Sequence, residues 1–300
     1  LVYHYFSISA TGIEFSSMGR YNEKNDLAGK GEHPMKIHYT VLDPTKNITL
    51  LVQTPVPRDQ QARLAALLLA RETEAEQVGF VEPSEQCRAR LQMMGGEFCG
   101  NAAMSLATLL CRRSGRAEAQ IPLEVSGAAE PVDCHITWVD GCYLGTVDMP
   151  LPEKVESLSL PLDGKTVFFP VVYLPGICHI VVPAGFLRRE EAEQALRSWS
   201  SLFPQEAVGL LLYDQAAGRM DPLVYVKPTD TAVWERGCGS GSAAIGALRA
   251  WQTERDQCIT VRQPGGTIAV SCLWRGGAFG PLTITGTVKV LGSKTAEIDL

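Results

Sequence analysis

From residue 35 onward, short apolar runs rich in β-branched and aromatic residues alternate with turn residues, and only four stretches carry apolar side chains at helical spacing. The pattern predicts strands over 36–41, 48–54, 132–138, 142–148, 166–174, 208–213, 223–226, 267–272 and 282–290, several of them ending at Gly, Pro or Asp. Helices are predicted over 60–74, 100–113, 190–200 and 239–253. Such an order is α+β rather than alternating α/β.

The four helices are of two kinds. Over 60–74 and 190–200 one face is apolar, as with Ala192, Ala195, Leu196 and Trp199, which marks surface helices. Over 100–113 and 239–253 the first three turns are apolar or small nearly all the way round, the pattern of a helix buried on every side. Each is introduced by a similar phrase, Cys99-Gly100-Asn101-Ala102-Ala103 and Cys238-Gly239-Ser240-Gly241-Ser242, the cysteines lying 139 residues apart. This pseudo-repeat predicts two similar lobes, each with strands wrapped about a buried helix, meeting where the helix N-termini point. The expected divisions are 35–150 and 151–280, with a boundary near Pro150 and Pro152, and C-terminal strands over 281–300. Residues 1–34 show neither helical nor strand periodicity and are expected to be an extension, either a tag or a disordered arm.

Charge and cysteine content narrow the function. The 300 residues hold 27 Lys+Arg against 33 Asp+Glu, a formal charge of −6, and the densest basic cluster is only Arg112, Arg113 and Arg116. Nucleic acid is therefore not an expected partner. The longest apolar stretches, such as 64–70, are far short of a membrane span. Nine cysteines, an odd number without a Cys-x-x-Cys pair, argue against a disulfide framework and for a reducing cytoplasm, and no His/Cys spacing suggests zinc.

A cysteine at the mouth of a buried helix sits beside unpaired N–H groups and the positive end of the helix dipole, which favours thiolate. The same N–H groups, at Gly100 and Asn101 and at Gly239 and Ser240, are expected to form one anion pocket suited to a carboxylate. Two thiols facing one carboxylate site, one ionised and one protonated, can remove an α-proton from one face and return a proton on the other. That inverts Cα with neither pyridoxal phosphate nor metal. Two other readings fit less well. Gly239 to Ala244 matches a loose dinucleotide fingerprint, but the nearby acid, Asp256, precedes the next strand instead of ending it. A non-catalytic small-molecule binder would not require both thiols.

Glu97-Phe98-Cys99-Gly100-Asn101-Ala102 and Trp234-Glu235-Arg236-Gly237-Cys238-Gly239-Ser240-Gly241 resemble the two signature segments of diaminopimelate epimerase and its relatives, the cofactor-independent amino-acid racemases. The segment from Pro175 to Val182 is similar to that family's central Asn-Pro-His-Val segment, and the one from Gly280 to Gly286 to its C-terminal strand. The resemblance implies two homologous lobes, each a β-barrel-like sheet around a central helix, with the last strand returning to the first lobe, Cys99 and Cys238 as the acid/base pair, and a homodimer. It also implies that His179, Glu235 and Arg236 line the pocket of a small amino-acid substrate. The departures point to which one: only Gly237 separates Arg236 from Cys238, the early His-Gly-x-Gly-Asn-Asp segment is absent near 39–47, and Gly176, Ile177 and Cys178 replace the residues before His179. The groups missing are those that recognise the far end of diaminopimelate. The shortened form is similar to histidine racemases that supply D-histidine for opine-type metal chelators. Asp221 is a candidate acceptor for a cationic or imidazole side chain, and Cys178, adjacent to His179 in a strand, should face away from it.

Overall fold

The computed structural model describes residues 34–300 together with a hairpin in which His4–Ser9 pairs with Gly12–Ser17. That hairpin departs from the expectation of no strands before residue 35; the remainder of 1–34, and with it the reading as a tag or disordered arm, lies outside the described residues. Helices α1 (Arg58–Arg71), α2 (Gly100–Arg113), α3 (Arg189–Ser200) and α4 (Gly239–Thr253) form where the periodicity places them. Helix α1 stops three residues short of its predicted end. There Glu72 leaves helical geometry at φ −104°, ψ 72°, and its carboxylate is held by Tyr39 and Lys294 instead.

Apart from the hairpin, the described strands form one continuous sheet, and its topology turns on the last of them. Ala278–Ile298 pairs with three neighbours, Gly266–Arg275, Met35–Pro44 and Cys142–Asp148. Through it, the strands Met35–Pro44, Thr49–Val52, Gln77–Glu82, Arg90–Met93, Glu118–Val125, Val132–Val139 and Cys142–Asp148 close into a ring of eight. Helix α2 runs through that ring and is buried from Gly100 to Cys111. In the other direction the sheet continues through Gly266–Arg275, Gln257–Gln263, Arg219–Val226, Ala207–Asp214, Ile177–Pro183, Lys165–Leu174 and Lys154–Leu162, curving past α4.

One core cluster includes Met104, Leu106 and Leu109 of α2 together with Ile245, Ala247 and Leu248 of α4. Each fully buried Leu or Ile contributes about 1.5–3 kcal/mol of transfer free energy, so the two apolar helices share a single hydrophobic interior. Helices α1 and α3 bury one face each against separate clusters on the outside of the sheet. Several strands are missing from the periodicity reading, among them Glu118–Val125, interrupted by Pro122, and Lys154–Leu162, whose exposed positions carry mixed polar residues. Register with neighbours, not local composition, makes them strands. All nine cysteines are free. Among the described residues no helix is long and apolar enough to cross a membrane.

Candidate active site

Each buried helix begins on its cysteine. Cys99 is in extended geometry (φ −136°, ψ 108°), and its Sγ accepts the Ala102 N–H at 3.4 Å. Cys238 matches it (φ −101°, ψ 110°), with Sγ accepting the Gly241 N–H at 3.3 Å. A cysteine thus occupies the N-cap position that Ser, Thr, Asp or Asn usually fills, and its sulfur takes one of the helix's orphan donors.

The two mouths are joined through Asn101. Its Nδ2 donates to the Gly237 carbonyl at 3.0 Å, immediately before Cys238, and to Asn47 Oδ1 at 3.1 Å. Asn101 Oδ1 lies against Gly239, is buried, and has no hydrogen-bond partner. Asn47 also accepts from Gln77 Nε2 at 2.5 Å and donates to Glu76 at 2.5 Å. Gln77, its amide fixed by Asn47 and by Thr49 Oγ1 at 2.8 Å, turns its Oε1 to the Cys99 thiol, which donates to it at 3.0 Å.

Electrostatics reverse the expected thiolate. Burial pushes the Cys99 thiol up to about 12; the Ala102 N–H opposes this, and the carboxylates of Glu97 and Glu235 add to it. Burial, then the charge and hydrogen bond of Glu235, raise Cys238 well above its ordinary value, against Ser240 and the Gly241 N–H. Both sulfurs are therefore protonated in the ligand-free site, because desolvation outweighs the helix-end donors. Glu235 itself is raised to about 7, chiefly by burial, with its hydrogen bond to Cys238 acting downward and the neighbouring Glu76 upward. Its proton affinity is matched to neutral pH.

The structure places the remaining predicted residues unevenly. His179 is entirely buried on the face turned towards α4, its Nε2 3.0 Å from Ser240 Oγ, and burial drops its pKa to about 3, so it is a neutral imidazole. Cys178 faces the α3 cluster, away from it, as the strand alternation requires. Gly209, the register partner of His179, makes room for the ring: a Cβ there would lie 2.1 Å from His179 Nδ1. Gly209→Ala is therefore expected to lower the melting temperature by several degrees, as overpacking by about 1–3 kcal/mol would; an unchanged melting curve would contradict the tight fit.

Arg236, expected in the substrate pocket, is tied to the loop after α1. Its guanidinium is held by Glu76 at 2.9 Å and Glu74 at 3.1 Å, a clamp from the α4 approach to the loop after α1. Asp221 is a correction. Its neighbour Met220 packs against α4 at Gly241, so Asp221 takes the opposite face, beside Arg219 at 3.5 Å, and is not part of the site. Asn47, Glu76, Gln77 and Gln263 are site residues that the sequence did not single out. The one local signal was position: Asn47 ends a Pro-Thr-Lys turn, and Gln263 precedes Pro264-Gly265-Gly266. Among the described residues no group of three or more His, Cys, Asp and Glu side chains is placed to hold a metal ion.

This sheet-dominated α+β fold is one that racemases and epimerases have. Solved structures share the fold: a hydroxyproline epimerase from Agrobacterium vitis (TM-score 0.65, 16% identity, covering 88% of this chain and 93% of that one) and a probable proline racemase from Agrobacterium radiobacter (TM-score 0.65, 17% identity, 88% and 93%). The chain belongs to the histidine racemase family, since residues 36–296 match the model of the histidine racemase CntK N-terminal domain. It is 30% identical over 246 residues to a histidine racemase of Staphylococcus aureus, covering 78% of this chain and 88% of that protein. A histidine racemase of Fusobacterium nucleatum is 29% identical over 240 residues, covering 77% and 87%.

Proposed function

We propose that this protein racemises histidine, with Cys99 and Cys238 acting as alternating acid and base on opposite faces of Cα. The observation that carries the reading is the bond from Asn101, in the first turn of α2, to Gly237, the residue before Cys238, which brings two thiol-capped helix mouths to one place.

The chemistry follows from the parts. The substrate carboxylate takes backbone N–H groups at Gly100 and Asn101 and at Gly239 and Ser240. Those fixed dipoles stabilise the carbanion as the Cα–H bond breaks. Asn101 Oδ1, buried and unpartnered, is an acceptor for the α-ammonium. Cys238 passes its proton to the hydrogen-bonded Glu235 carboxylate once the substrate is bound, and the resulting thiolate takes the α-proton. Cys99 donates its S–H proton to the other face of Cα, and the reverse reaction exchanges the roles.

The shortened segment before Cys238 favours histidine over a longer diamino acid, and Gly237 within it is packed so closely that a Cβ there would lie 2.2 Å from the Thr45 carbonyl. Histidine is also the substrate named for the relatives described above. In this reading the halves around α2 and α4 are the two pseudo-symmetric lobes, 35–150 and 151–280, with 281–300 returning to the first. The D-histidine formed would feed opine-type metal chelators in the cytoplasm.

Incubation of the reduced protein in deuterated water with single L-amino acids and with diaminopimelate tests this. Expected is deuterium at Cα of histidine, appearing with the D-isomer. Exchange into diaminopimelate alone would overturn the substrate, and no exchange with any of them would overturn the chemistry.

A further inference from the structure

We infer that Gln263 is a positioning residue for racemisation, one that fixes the backbone of Cys238 so that its sulfur meets one face of Cα; this rests on the two-cysteine reading above. An N-cap residue's own N–H has no partner within its helix, and a buried one must find a partner elsewhere. At Cys238 that partner is a side chain: the N–H donates to Gln263 Oε1 at 2.6 Å. The other end of the same amide donates to Ser242 Oγ at 2.8 Å, and Ser242 in turn donates to the Cys238 carbonyl at 2.7 Å. One glutamine, only 8% exposed, therefore brackets the Cys238 residue on both sides.

Its place in the chain explains the geometry. Gln263 ends the strand Gln257–Gln263, and two residues later the Gly265 N–H donates to the Arg236 carbonyl at 2.7 Å. The segment leading into α4 is thus fastened to this strand end by two successive rungs, one of backbone and one of side chain. Gly265 admits the approach, since a Cβ there would lie 2.8 Å from both Arg236 O and Thr45 O. The first half grips differently: Gln77 accepts from the Cys99 sulfur itself. Gln263 holds the residue and leaves the Cys238 sulfur free to exchange its proton. A sulfur displaced by about 1 Å from the reacting carbon costs on the order of 10²-fold in rate.

The test compares Gln263→Met, which keeps the volume and loses the acceptor, with Gln263→Glu, which keeps the acceptor. Expected for Gln263→Met is a fall in kcat of about 10²-fold with KM within about threefold of the parent, and for Gln263→Glu a recovery to within about fivefold, both normalised to folded protein by circular dichroism. Gln263→Met within about threefold of the parent, or Gln263→Glu no better than Gln263→Met, would overturn the assignment. Should Gln263→Met fail to fold, Ser242→Ala decides: a drop of about tenfold in kcat at unchanged KM supports the bracket, and an unchanged kcat removes it. Cys238→Ser, run alongside, separates the two claims. If it is inactive while Gln263→Met is normal, only the role of Gln263 falls; if it is active, the two-cysteine reading falls.

Discussion

Cys99→Ser and Cys238→Ser are each expected to lower histidine racemisation by at least about 10³-fold while leaving the melting temperature unchanged or slightly raised. The size of the loss follows from the role: general acid–base catalysis contributes about 10²–10⁴-fold, and a hydroxyl exchanges its proton far less readily than a thiol. The retained stability follows from the position. Both cysteines are N-caps whose sulfur accepts a backbone N–H, and serine is a better cap than cysteine. The pairing of lost activity with an intact fold separates catalysis from structure. Chiral chromatography of the product and a thermal melt measure the two. Either single variant retaining more than about a tenth of the parent rate would show that its sulfur carries no proton.

The second large effect is expected at Glu235. Glu235→Gln should lower kcat/KM about 10²-fold and remove the part of the acidic limb of the pH profile that Glu235 contributes. The sign is set by the role of the carboxylate as acceptor of the Cys238 proton. It must be ionised to accept, so the rate of the parent protein falls as pH drops below about 7, where Glu235 becomes protonated, and levels above it. The imidazole of free histidine also titrates, near ~6.5. That limb belongs to the substrate and survives in the variant, so the difference between the two profiles isolates Glu235. A parent profile flat between pH 5.5 and 8, or one unchanged by the substitution, would mean that Cys238 loses its proton by another route.

What the chain discloses without its structure depends on how local the information is. Helices α2 and α4 are legible because neither has a polar face, and only an element buried all round tolerates that. The catalytic candidates are legible because the Cys-Gly phrase occurs twice. The hydrogen-bond network is not, since Asn47, Gln77, Asn101 and Gln263 are ordinary polar residues that meet only when a turn, two strand ends and a helix close on one another. Arg236 reads as a pocket residue from its neighbours in sequence, yet its partners Glu74 and Glu76 come from some 160 residues away. Asp221 shows the cost of naming a strand residue before its face is known. The thiolate expectation erred for a different reason: it weighed the helix end and omitted the desolvation that comes with a buried one.

The shared strand gives the molecule an unusual order of completion. His38, near the start of the ring that encloses α2, has Thr295 as its strand partner, 257 residues away. On the ribosome, the segment bearing Cys99 is made long before the strand that closes around it, so the half synthesised first is the last to be finished. Pairings over such separations form slowly. Shortening the chain at its C-terminus would accordingly open the ring around Cys99, at the far end of the sequence from the cut, before it disturbed the neighbourhood of Cys238.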